Sequence, residues 1–180
     1  MSNALLVIDA QESFRQRDSW RQIARVPIAE NIGRLVEHAR AEGDPVFWIL
    51  HTEPGTGNAF DPENGFVRTL EGLDPADGEP VLTKTSHNAF TTTNLSPMLT
   101  RGGVTSLTVS GIRTEQCCET TARLASDLGY AVTFAIDATA TNDIELSDGS
   151  RLAAEDVKER TRFALEGRFA TIRTVSQIVP

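Results

Sequence analysis

Apolar residues in this chain fall in short uninterrupted runs that alternate with stretches of helical spacing. ALLVIDA, residues 4–10, is apolar until Asp9, the pattern of a strand buried on both faces. Residues 27–43 carry Ile28, Ile32, Leu35, Val36 and Ala39 at helical intervals, with Gly43 as the stop. DPVFWILHT, residues 44–52, predicts the next strand. Residues 53–79, rich in Gly, Pro, Asp, Glu and Asn, predict a long surface loop of the kind that often carries function. PVLTK predicts a strand ending at Lys84, and LSPMLTRGG a short helix with Ser96 as cap and Pro97 first in the helix. SLTVSG, residues 106–111, and AVTFAIDA, residues 131–138, predict strands on either side of a helix over 114–129. Residues 147–167 predict a late helix, and 170–179 a final strand or tail.

Strands alternating with helices through short links imply parallel pairing by right-handed crossovers. The expected class is α/β: one domain over 1–180, an open parallel sheet with helices on both faces. In such sheets ligands gather at the carboxyl ends of the strands. Asp9, Lys84 and the turn 110–117 all fall at predicted strand ends, so three reactive groups from distant positions are expected on one edge.

Charge and composition narrow the partners. A net charge of −8 with no Lys/Arg cluster argues against nucleic acid. No apolar run approaches the roughly 20 residues of a membrane span. The start MSNALLVIDAQ has no basic export signal, so a cytoplasmic location is expected. The only two cysteines are adjacent, which gives no disulfide framework and suits a reducing compartment.

Those thiols, Cys117 and Cys118, stand at the start of the 114–129 helix. With Thr114 as N-cap, Cys117 lies near N3, where free N–H groups and the helix dipole favour a thiolate. Cys118 is about 100° further round and shares a stripe with Thr121, Ala122, Ala125 and Leu128. Taken alone, the pair also reads as core filler, as a redox couple or as a vicinal disulfide. Metal binding is disfavoured: there is no C-x-x-C, and His38, His51 and His87 have no paired spacing.

LLVIDAQ, LTKTSHNAF, TNLSPML, LTVSGIRTEQCCETTARLASDLGY and AVTFAIDATAT follow one another in the chain. In that order they resemble the isochorismatase-like cysteine hydrolases. That superfamily includes nicotinamidases, N-carbamoylsarcosine amidohydrolases and isochorismatases. The resemblance implies a three-layer Rossmann-like fold and a triad of Asp9, Lys84 and Cys117. It selects Cys117 over Cys118, because the nucleophile is the third residue after the Thr of G-x-x-T. It also implies a cis peptide between Ile112 and Arg113, and an oxyanion hole made by the backbone N–H groups of Arg113 and Cys117. The expected reaction is hydrolysis of a small amide or ureido C–N bond through a thioester, with a small-molecule substrate, no cofactor and at least a homodimer.

Two departures sharpen this. The D-x-H motif of the family's nicotinamidases is missing; His51 is present without a downstream histidine, so no metal is expected. Isochorismatases proper lack the nucleophilic cysteine, so Cys117 weighs against ether hydrolysis. Position suggests Gln11, Phe14, His51, Phe90 and Arg113 as pocket residues. Arg113 is equally a candidate for a substrate carboxylate or for a salt bridge with Glu115. The competing readings are a catalytically silent binding or assembly protein, an ether hydrolase and a thiol redox sensor.

Overall fold

The computed structural model describes residues 2–180. Its main sheet has six parallel strands: β1 (Ser2–Ile8), β2 (Val46–His51), β3 (Val81–Lys84), β4 (Val104–Ile112), β5 (Ala131–Ala140) and β8 (Thr171–Arg173). They lie in the order β3-β2-β1-β4-β5-β8. The chain thus winds outward from β1 to one edge, then crosses back to β4 and continues to the other. The crevice between β1 and β4 is the switch point where such sheets hold ligands.

Side-chain alternation along the central strands supplies two cores. Ala4, Leu6 and Ile8 of β1 face one side, with Phe47 and Ile49 of β2. There they meet α2 (Leu95–Arg101) and α3 (Glu119–Asp127) through Leu95, Leu99, Ala122 and Ala125. Leu5 and Val7 face the other side with Val46 and Trp48, beneath Ile28, Ile32, Leu35 and Val36 of α1 (Ile28–Glu42). Gly43 closes α1 in the left-handed conformation, φ 74°, and its N–H caps the carbonyls of Ala39 and Arg40. Among the described residues, no helix is long and apolar enough to cross a membrane.

Four local expectations are corrected. Asn94, not Ser96, occupies the cap position of α2, and Pro97 is its third residue, still inside the first turn where no N–H is required. Thr114 does not cap: its hydroxyl donates to Thr139 on β5 at 3.0 Å, and Arg113 takes the cap position. Leu128 leaves the apolar stripe and is 51% exposed, because α3 has ended at Asp127. Residues 147–153 are not helical. They belong to a hairpin of β6 (Ile144–Glu145) with β7 (Arg151–Leu152), and α4 (Ala154–Leu165) starts only after it. The tail holds both β8 and a last turn, α5 (Val175–Ile178).

Between β4 and α3 the chain makes a single wide turn, Thr114–Cys118, of π type. The N–H of Cys118 reaches back five residues to the carbonyl of Arg113 at 3.2 Å. The Ile112–Arg113 peptide preceding it is cis. At Gly111, β4 runs directly against the backbone of Ile8 on β1. Its φ is 130°, and a Cβ there would stand 1.8 Å from the carbonyl oxygen of Ile8. Both the conformation and the space demand glycine. Gly111→Ala is therefore expected to lose at least about 3 kcal/mol of stability. Urea unfolding would read this as a fall in midpoint at unchanged slope.

Candidate active site

Register brings three strand ends level. Ile8 pairs with both Ile49 and Gly111, and His51 pairs with Lys84. The next residue after β1 is Asp9, which turns the chain with φ 49°, a left-handed conformation that Asp tolerates better than most side chains. Its N–H donates to the Ile49 carbonyl at 2.7 Å, tying the turn to β2. Its side chain is fully buried.

The Lys84 side chain ends inside the protein, 1% exposed. Its ammonium donates to Asp9 Oδ2 at 2.8 Å, to the Ser86 carbonyl at 3.1 Å and to Cys117 Sγ at 3.4 Å. One cation thus bridges the carboxylate and the thiol. The other carboxylate oxygen, Asp9 Oδ1, is buried without a hydrogen-bond partner among the described residues.

Each group shifts the others. Burial pushes the Asp9 carboxyl above its ordinary value, opposed by the Lys84 charge and then by the Cys117 thiol. Burial works against the Lys84 ammonium, but Asp9 and Cys117 together hold its pKa above the ordinary lysine value. Burial, followed by the Asp9 charge, pushes the Cys117 thiol far up, and Lys84 only partly offsets this. Burial thus favours the neutral Cys117 thiol over the thiolate. Burial opposes the thiolate that the start of the helical segment favours.

Cys117 opens onto a cavity of about 90 Å³. Asp9, Phe14, His51 and Arg113 line it, joined by Arg17, Glu53, Phe60, His87 and Gln116. Phe14 meets Phe60 edge-on at 5.1 Å, and Arg17 lies 4.5 Å over the Phe60 ring. Arg113 grips Glu115 through Nε at 3.1 Å and Nη2 at 2.8 Å, so the salt bridge is formed while the residue still borders the cavity.

Two suggested pocket residues lie elsewhere. Phe90 packs in the core and stacks on Tyr130, ring centroids 6.2 Å apart. The side chain of Asn88 accepts from the N–H groups of Phe90 and Thr91. Gln11 is fully buried and clamps the His51 backbone. Its Oε1 accepts from the His51 N–H at 2.7 Å, and its Nε2 donates to the His51 carbonyl at 3.0 Å. Cys118 is buried in the core as expected, with Ala122 and Ala125. Phe60, Arg17 and Glu53 were not singled out from the sequence. Phe60 is one of several apolar side chains in that loop, with Phe66, Leu70 and Leu73, and nothing in the local sequence marks it as the one that reaches the cavity. Among the described residues no three His, Cys, Asp or Glu side chains are grouped as metal ligands.

Known proteins share this arrangement of elements. The isochorismatase domain matches residues 3–164. An isochorismatase family protein of Bacillus subtilis, YrdC, is 30% identical, over 98% of this chain and 94% of its own length. Nicotinamidase 3 of Arabidopsis thaliana is 32% identical, over 82% of this chain and 77% of its own. A solved structure of an isochorismatase-family protein from Chromobacterium violaceum superposes with a TM-score of 0.91 at 28% identity, over 99% of this chain and 92% of its own.

The buried pair makes a stability prediction with a definite sign. Burial raises the folded pKa of Asp9 above its unfolded value. The native state then binds the extra proton between those two values, and stability falls as pH rises through that window. Lys84→Met removes the charge that opposes the rise, so the window extends upward. The variant is expected to lose about 3–5 kcal/mol near pH 8 and distinctly less near pH 5, measured by urea unfolding at both.

Proposed function

The chain belongs to the isochorismatase family, and on that premise we propose that it is a cysteine hydrolase that cleaves a small amide or ureido C–N bond. The observation that carries this reading is the Lys84 ammonium between Asp9 and Cys117, with Asp9 Oδ1 open. A buried carboxylate, ammonium and thiol brought to one point favour catalysis over a binding module. A redox sensor would need Cys118 accessible, and Cys118 is fully buried. The similarity to a nicotinamidase, a protein named for amide hydrolysis, supports the bond type.

The proposed steps are these. Asp9 takes the proton of the Cys117 thiol, and Sγ attacks the carbonyl carbon. Lys84 remains charged and offsets the negative charge that moves between carboxylate and sulfur. The backbone N–H groups of Arg113 and Cys117 are the proposed donors to the oxyanion. The Arg113 carbonyl accepts from the N–H groups of Gln116 and Cys118, both at 3.2 Å, one on either side of Cys117. Collapse of the intermediate breaks the C–N bond, and Asp9 returns the proton to the departing nitrogen. Asp9 then takes a proton from water as that water attacks the thioester. The C–S bond breaks, the proton returns to sulfur, and an acid and an amine or ammonia leave.

The cavity of about 90 Å³ is far smaller than the roughly 300–1,000 Å³ of ordinary drug-sized pockets, which favours a compact acyl group. Ammonia release from a panel of small amides, ureides and carbamoyl compounds tests the proposal. Cys117→Ala is expected to abolish release, and Asp9→Asn to reduce it by about 10²–10⁴-fold. Cys118→Ala is expected to keep it, and intact-mass measurement of the wild type should catch the thioester. A Cys117→Ala protein that hydrolyses the substrate as fast as wild type sinks the reading.

A further inference from the structure

Lys84 has one more neighbour than a bridging role requires. An ammonium carries three N–H donors. Four acceptors surround this one: Asp9 Oδ2 at 2.8 Å, the Ser86 carbonyl at 3.1 Å, Cys117 Sγ at 3.4 Å and His51 Nδ1 at 3.5 Å. The three nearer acceptors match its three donors, and the ammonium charge 3.5 Å away favours a lone pair on His51 Nδ1. The opposite ring nitrogen, Nε2, lies 3.2 Å from Glu53 Oε1, an acceptor, and must therefore carry the hydrogen. Both ends of the ring favour the same neutral tautomer, with the hydrogen on Nε2.

The ring is also held in place. Gln11 clamps the His51 backbone at both its N–H and its carbonyl. Phe60 stands edge-on to the imidazole, centroids 5.7 Å apart. Glu53 is itself fixed by Asn58 Nδ2 at 2.5 Å and is partly exposed, so the far end of the chain reaches solvent.

We propose that His51 is a positioning residue for Lys84: its neutral ring anchors the ammonium between Asp9 and Cys117, and protonation of the ring releases that anchor. The inference rests on the reading of Asp9, Lys84 and Cys117 as the reacting set. Once protonated, Nδ1 becomes a donor, and two cations face each other across the same gap. The charged groups facing the ring are Asp9 from the end of β1, Lys84 from β3 and Glu53 from the following loop. Burial and then Lys84 lower the His51 pKa from its ordinary value, while Asp9 and Glu53 oppose them. The anchor is therefore intact at neutrality and lost only in acid, below the ordinary histidine range.

Two readouts test this without any substrate. In ¹⁵N-labelled protein, with only three histidines to assign, His51 should show an unprotonated Nδ1, a protonated Nε2 and a titration below that of a free histidine. Alkylation of Cys117 by iodoacetamide, followed against pH in a Cys118→Ala background, should lose one extra proton's worth of rate in acid. That steepens the decline from about tenfold to about a hundredfold per pH unit. His51→Asn puts an amide oxygen near the position of Nδ1. It should keep the neutral-pH rate within a few-fold and remove the extra steepening. His51→Leu, with no acceptor, should alkylate at least about tenfold more slowly at neutral pH. An Nδ1-protonated ring, or a His51→Leu protein with the wild-type rate and profile, overturns the proposal. Absence of amide hydrolysis alongside the expected tautomer and alkylation profile would count against the hydrolase reading and leave His51 in place.

Discussion

A lysine ammonium taken out of water is tolerated only where a carboxylate and other acceptors replace its hydration. Lys84 is such a group, and much of the sheet's carboxyl edge is arranged around it. The pairing of β2 with β3 sets His51 beside Lys84, and the pairing of β1 with β2 sets Asp9 one residue past Ile8. The wide turn after β4 delivers Cys117 to the same point. Because Asp9 and Lys84 meet as a buried ion pair, displacing either leaves an uncompensated ion, which is far costlier than a lost surface contact. Reactivity and folding are thus held by the same interaction.

The pair also explains the division of labour between the two cysteines. Cys117 stands within reach of the ammonium, while Cys118 turns into the packing between α3 and the sheet. Thr121, one turn on, donates to the Cys117 carbonyl at 2.6 Å and accepts from the Ala89 N–H at 3.1 Å. This ties the Cys117 backbone to the segment that follows Lys84. The thiol is carried by a braced frame, and its high pKa is the natural result of a dry one.

Much of this was readable before any coordinates. Asp9 and Lys84 stood out because polar residues closing apolar runs mark strand ends, and the parallel alternation predicts which edge they share. Cys117 was separated from Cys118 by motif position and by helical angle. What stayed hidden depends on partners far along the chain. Thr114 looked like a cap because its preference is local, but Thr139, 25 residues away, takes its hydroxyl. Gln11 looked like a pocket residue because its partner, the backbone of His51, lies 40 residues on. Phe90 packs in the core and stacks on Tyr130, a contact that apolar periodicity does not encode. Helical spacing over 147–153 failed for the same reason: the Ile144–Leu152 pairing is a two-stranded contact, not a periodic one.

The loop between β2 and β3 stands apart from the rest of the cleft. It contributes Glu53 and Phe60 to the cavity wall, whereas Asp9 and Lys84 close strands and Cys117 opens the helical segment after β4. Loops of this kind accept insertions and substitutions that strand ends do not. Descendants of such a chain can therefore exchange one wall of the chamber wholesale while inheriting the acid, the amine and the thiol unchanged. Diversification of what enters the cleft and preservation of what happens there become separate evolutionary events, recorded in different parts of the sequence.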